Sequence, residues 1–220
     1  MKITILACTY MQDNQRCIAG LDQSGKWIRP VKNHPLDHED LLDEKRNLIY
    51  APFNIVDTPL LSNAPQAPHS EDWIIDSKKM PILMGSIHLS ELRKSFLDEH
   101  VENKILIGKE KEHLRNILKN LNRSLILFGP VNILSISKDK HPRIMFRIPE
   151  SNYSSLRSIP CTDMGFVDFC SKLPPTENPI AYFIDKQIYL GIGLSRYYEG
   201  VTGGDYWELI IGFHTFPDYK

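Results

Sequence analysis

The chain has 220 residues, 42% hydrophobic and 24% charged, enough apolar side chain to build a core, which excludes wholesale disorder. Lysine and arginine number 26 against 27 aspartates and glutamates, a formal net charge of -1. The protein therefore does not coat nucleic acid by overall charge, although a local basic face remains open. No apolar run approaches the roughly 20 residues of a membrane-spanning helix, and no small-residue cleavage site follows the apolar N-terminus, so neither a membrane span nor a signal peptide is expected.

The first third reads as strand. Residues 2–11 form an apolar, β-branched run, residues 12–15 a polar turn, and residues 16–22 a second run closed by Gln23-Ser24-Gly25. Residues 26–31 alternate, which places Trp27, Arg29 and Val31 on one face and Lys26 and Ile28 on the other. Residues 34–46 are the one early helical candidate. Pro35 suits a first turn, Asp37, Glu39 and Asp40 suit its positive end, and Lys45 and Arg46 suit the last turn. Strand returns over 48–57, followed by a loop from Pro59 to Pro68.

The middle reads as helix. Leu89, Leu92, Phe96 and Leu97 form one stripe with Ser90 as a cap, and Leu114, Ile117, Leu118 and Leu121 form another at i, i+3, i+4 and i+7. The last third is strand again, over 125–137, 143–148, 181–195 and 207–216, with Gly191, Gly193, Gly203 and Gly204 as sites for bulges or bends. Ile5-Leu6 precedes Asp13 and Arg16 as Ile133-Leu134 precedes Asp139 and Arg143. This echo suggests two units of similar build.

The chemical motifs are sparse. Cys8, Cys17, Cys161 and Cys170 include no Cys-x-x-Cys pair and read as reduced thiols of a cytoplasmic protein. His34 and His38 are four apart, but Pro35 puts His34 off the helical face that metal binding would need. No nucleophile elbow, dinucleotide fingerprint or phosphate loop is present. No metal and no cofactor is therefore expected. His69, Glu71 and Asp72 form a compact cluster that reads either as a turn with capping acids or as an acid–base site. The remaining signal is aromatic residues interleaved with cations: Lys26, Trp27, Arg29 and Lys32 in one place, Arg196, Tyr197, Tyr198, Tyr206 and Trp207 in another. Single-strand binders use such flat side chains for base stacking and such cations for phosphates. Packed aromatics covered by long cations give the same pattern.

Cys17-Ile18-Ala19-Gly20-Leu21-Asp22 with Gly25 to Val31, Pro68-His69-Ser70-Glu71-Asp72-Trp73, and Tyr189 to Arg196 with Trp207 and Gly212 to Tyr219 resemble the segments of the dual OB domain family of prokaryotic conflict-system proteins. The resemblance implies two oligonucleotide/oligosaccharide-binding barrels and a nucleic-acid-binding or sensing role, with a separately encoded effector as a further partner. The expected fold is mainly β with α: a first OB-like barrel over 1–80, a helical connector over 81–123 and a second barrel over 124–220. The expected function is a non-enzymatic nucleic-acid-binding module, single-stranded DNA or RNA favoured. Trp27, Arg29, Lys32, Arg196, Tyr197 and Trp207 would face the ligand, and His69 and Glu71 would organise the adjoining loop. The alternatives are a metal-dependent phosphodiesterase at His69, Glu71 and Asp72, and an adaptor that binds only protein.

Overall fold

The structure, a computed structural model, describes residues 1–102, 122–139, 141–148, 155–196 and 207–219. The alternating N-terminal runs fold as an antiparallel meander of β1 (Lys2–Tyr10), β2 (Arg16–Asp22) and β3 (Trp27–Val31). Asp22 holds the second turn, its Oδ1 accepting from the backbone N–H groups of Ser24 at 2.8 Å and Lys26 at 3.0 Å. The chain returns through β4 (Asn54–Asp57), antiparallel to β1, and β5 (Leu60–Asn63). Next, β6 (Asp72–Ile75) lies antiparallel to β5 and parallel to β3. The sheet runs β5-β6-β3-β2-β1-β4, with β7 (Ile82–Ser86) added outside β4. Its two ends, β4 and β5, are successive stretches of one chain segment, so the sheet curls on itself. Ile3, Ile5, Ile18, Ile28 and Val56 fill the inside.

The helix expected over 34–46 does not form. A single 3-10 turn occupies Glu39–Leu41. The acidic residues there close turns instead of charging a helix end: Asp37 and Asp40 accept from each other's backbone N–H at 3.1 Å, and Asp43 accepts from Lys45 and Asn47. These competing bonds are why such residues favour turns over helix interiors. The segment still plugs the barrel, burying Leu36 and Leu41, and it is joined there by Ile49 and Tyr50, which lie before the strand that starts only at Asn54 rather than at 48.

The second half repeats the plan. β8 (Leu125–Phe128) and β9 (Asn132–Ile136) form a first strand interrupted at Gly129-Pro130. β9 starts a meander with β10 (Arg143–Ile148) and β11 (Ser155–Pro160), while β8 pairs with β12 (Gln187–Leu194), which pairs with β13 (Glu208–Phe216). A parallel bridge from Cys161, just past β11, to Ile210 of β13 closes the ring as the parallel β3–β6 contact does in the first half. Both halves thus have the five-stranded Greek-key plan of an oligonucleotide-binding barrel. This is the mainly β architecture with added helices that was expected, and the echo between Arg16 and Arg143 marks the start of the second strand in each barrel. The glycine expectation holds at Gly191, where the β12–β13 register shifts.

Two α-helices are described. α1 (Ser90–His100) follows β7; Leu97 is buried, but Leu89 and Leu92, expected on the same apolar stripe, are exposed. Ser90 is its first residue, and the cap position belongs to Leu89, which makes no side-chain capping bond. The expected stripe from Leu114 to Leu121 lies outside the described residues. α2 (Met164–Lys172) was not anticipated; Asp163 caps it by accepting from the Phe166 N–H at 2.8 Å, and Phe166 and Cys170 close the second barrel.

The barrels meet along β1 and β13. A Cβ at Gly212 would lie 2.6 Å from the Leu6 carbonyl oxygen, so only glycine lets the two strands approach this closely. Gly212→Ala should therefore destabilise the protein by about 1–3 kcal/mol, the usual cost of overpacking. In thermal unfolding, Gly85→Ala is the control, because its added Cβ meets nothing within 4 Å and the melting temperature should hardly move.

Candidate nucleic-acid interface

Trp27 and Arg29 lie on the same side of β3, as its alternation required. Ile28 points into the barrel, so this is the outward face, and the second barrel covers it. Half-buried Trp27 packs with Leu21, Leu125, Leu127 and Ile211 at the seam between barrels. Arg29 is 6% exposed, and its Nε donates to Asp72 Oδ1 at 2.6 Å. The other oxygen of that carboxylate accepts from Nη2 of Arg196, just past β12 of the second barrel. One buried carboxylate therefore joins a cation from each barrel. Burial works against the charge on Arg29, but the carboxylates of Asp72 and Glu71 and the neighbouring Cys17 hold its guanidinium protonated above the ordinary range.

Glu71 serves the same seam. Its carboxylate accepts from the Ser124 and Leu125 backbone N–H groups, the latter at 3.0 Å, and from the Ser124 hydroxyl at 3.1 Å, which pins the start of β8 to the first barrel. His69 is 2% exposed. Burial, reinforced by Arg29 and Arg196 and opposed by a hydrogen bond to the Ser195 backbone, pulls its pKa down to about 3. His69, Glu71 and Asp72 are each nearly inaccessible, and the two carboxylates are engaged by different partners. Among the described residues, no group of three or more His, Cys, Asp or Glu is placed to hold a metal ion.

The other residues expected to face a ligand are spread around this seam. Lys32 is half-buried and pairs with Asp40. Trp207 is 52% exposed. Its backbone N–H donates to Ser195 Oγ at 2.9 Å and its carbonyl accepts from the Ser195 N–H at 2.9 Å, which closes the base of the loop between β12 and β13. Tyr197 lies outside the described residues. The structure thus brings Arg29, His69, Glu71 and Arg196 together at the seam, and sets Trp207 at the rim beside Arg196.

A further basic face was missed. β10 alternates: Ile144, Phe146 and Ile148 are buried in the second barrel, and Arg143, Met145 and Arg147 point outward. Across the sheet, Arg147 pairs with Leu156 and Met145 with Ser158 of β11. Leu156 is 57% exposed, and Leu134 of β9 42%. Arg143 donates from Nη2 to the Ser158 carbonyl at 2.5 Å. Among the described residues, neither Arg143 nor Arg147 is in an ion pair, and β9, β10 and β11 contain no acidic residue. The two guanidinium-bearing positions are four residues apart, about 13 Å along a strand. Arg157 of β11 is on the opposite face and pairs with Glu208. The signal was the Arg-x-Met-x-Arg alternation itself, which a search for cations beside aromatic rings passes over.

In an oligonucleotide-binding barrel the second and third strands form the binding face, flanked by the first–second and fourth–fifth strand loops. In the second barrel the corresponding strands are β10 and β11, and of the two flanking connections the described residues include 137–139, 141–142, 195–196 and 207. The chain belongs to the dual OB-containing domain family, whose model matches residues 1–213. No curated protein matches its sequence. Among solved structures it is similar to a murine DNA-binding protein bound to double-stranded DNA, at 12% identity and a TM-score of 0.37, over 98% of this chain and 96% of that one.

The buried histidines set a pH dependence. His69 and, on β13, His214, pulled down to about 4 by burial and opposed by a hydrogen bond to the Leu6 backbone, are neutral when folded. Unfolding restores pKa values near 6.5, so the unfolded chain binds more protons below that pH. Stability should be complete above about pH 6.5 and fall as pH drops toward 4, by up to about 1.4 kcal/mol per pH unit for each histidine. Denaturant unfolding between pH 7 and pH 5 checks this; His69→Leu should flatten the slope.

Proposed function

We propose that the protein is a non-enzymatic nucleic-acid-binding module whose contact surface is the outward face of β10 and β11 together with the rim formed by Arg196 and Trp207. The observation that carries this reading is the pair Arg143 and Arg147, held outward on an acid-free strand face at the place where barrels of this plan take their ligand. The arginines meet phosphates, and Met145, Leu156 and Trp207 offer flat or deformable apolar surface to bases, which favours single-stranded DNA or RNA. The formal net charge of -1 fits contact through one face only. Arg29, His69 and Glu71 support the rim from beneath by fixing Arg196 and the start of β8; Trp27 packs under it, and Lys32 lies farther along the first barrel's edge. The family resemblance supports extending this reading to a place in a prokaryotic conflict system alongside a separately encoded effector.

Fluorescence anisotropy with single-stranded DNA and RNA oligomers, with duplex as comparison, tests the reading. Arg143→Glu and Arg147→Glu should each weaken binding about tenfold or more. Each should also make the dependence of log K on log salt shallower, by about 0.7 for every single-strand phosphate that is no longer neutralised. Trp207→Ala should cost about 1–3 kcal/mol with an unchanged salt slope. Asp72→Asn should instead lower the melting temperature, because removing one partner of a buried ion pair costs about 3–5 kcal/mol. Wild-type affinity in both arginine variants would remove β10 as the contact strand. A wild-type protein that binds no nucleic acid would leave the protein-only adaptor.

A further inference from the structure

Where β10 starts, the second barrel holds a cavity of about 180 Å³, lined by Lys138, Asp139 and Pro142 of the β9–β10 connection and by Val167, Cys170 and Ser171 of α2. The three helix residues fall at i, i+3 and i+4, so they share one face of α2. Pro142, Val167 and Cys170 make the apolar side. Burial pushes the Cys170 thiol up to about 11 against the pull of the Lys138 charge, so it is protonated at neutral pH and packs as a small hydrophobe. The polar side is open, with Asp139 and Ser171 exposed. Lys138 Nζ donates to the Pro174 and Pro175 carbonyls at 2.6 and 3.2 Å, which fastens the connection to the chain just past α2 and keeps the walls in place without a ligand. An ammonium has three donors, so one is left. The Asp139 carboxylate has no hydrogen-bond or ion-pair partner among the described residues.

We infer that this cavity receives one cytosine base of the bound single strand and so gives the contact surface a base preference. The inference rests on the nucleic-acid reading above and adds a specificity to it. Size selects the ring. An apolar cavity of about 150 Å³ takes one benzene, so this volume suits a single six-membered ring with its substituents and is small for the two fused rings of a purine. Charge selects the pyrimidine. A carboxylate accepts from the exocyclic amine of cytosine, and the remaining Lys138 N–H suits the ring N3 or O2 acceptor beside it. Thymine and uracil carry a carbonyl where cytosine carries the amine, and a carboxylate repels it. Position supplies the route. Pro142 directly precedes Arg143, so a strand whose phosphate meets that arginine lies one residue from the cavity's wall, and a base turned past the end of β10 reaches it.

Anisotropy titrations of the full chain with short oligomers of deoxycytidine, deoxythymidine and deoxyadenosine at neutral pH are the test. The wild type should bind the cytosine oligomer at least about fivefold more tightly than the other two, the discrimination of one good base-edge contact. Asp139→Ala should bring the ratio of cytosine to thymine affinity to about one. The ratio is the readout because losing an anion near phosphates alters both affinities alike. Val167→Phe, which fills the cavity from α2, should also erase the preference, with the melting temperature as its folding control; Asp139 is exposed, so its variant decides the matter if the helix variant unfolds. Equal wild-type affinity for the three oligomers, or a preference for thymine or adenine, overturns the inference and leaves a module that binds without selecting bases. A cytosine preference that survives Asp139→Ala overturns it too. A wild type that binds none of the oligomers fails one step earlier, at the nucleic-acid reading itself.

Discussion

The outward face of β2 and β3 is apolar, and a single barrel would leave it in water. Ala19, Leu21 and Trp27 make most of that face, and burying them against Leu125, Leu127, Tyr189 and Ile211 is what joins the halves. The rest follows from this burial. Gly212 is needed because β13 must reach β1. Arg29, the one cation on the face, needs a carboxylate because it is sealed in with the apolar residues. Asp72 supplies it from β6, the strand running parallel beside β3.

The polar groups at the seam give the contact its register. Apolar surfaces attract without direction, whereas Asp72 and Glu71 accept hydrogen bonds only where Arg29, Arg196, Ser124 and Leu125 present their donors. A buried ion pair contributes little net stability against an apolar replacement, yet breaking it is costly. That asymmetry suits a device that fixes how two barrels sit on each other, and it accounts for a histidine kept neutral between two arginines.

Strand positions were legible because period-two alternation is local. β1 to β3, β10 and the sharing of a face by Trp27 and Arg29 could all be read from neighbouring residues. What covers that face could not, since Leu125 and Ile211 lie about a hundred or more residues away and their approach depends on the whole of the second barrel. The acids of 37–43 have the composition of a helix start and the geometry of turns, and propensity does not separate the two. α2 escaped notice because Phe166, Val167 and Phe169 give nine residues the look of a strand; the Asp163 cap was the available signal. Trp27 and Arg29 drew attention as a cation beside a ring, which is also what a sealed seam between barrels looks like in sequence.

Fixing one barrel against the other has a consequence for how such a chain can change. Ala19, Leu21 and Trp27 on the outward face of β2 and β3 pack against residues of the second half, so a substitution there must be matched across the seam. Arg143, Met145 and Arg147 answer to no other part of the described fold beyond their own sheet. With β10 as the contact strand proposed above, a lineage built on this plan is free to alter what it binds by drifting at a few positions of that strand, while the paired half, unable to drift alone, keeps the scaffold constant.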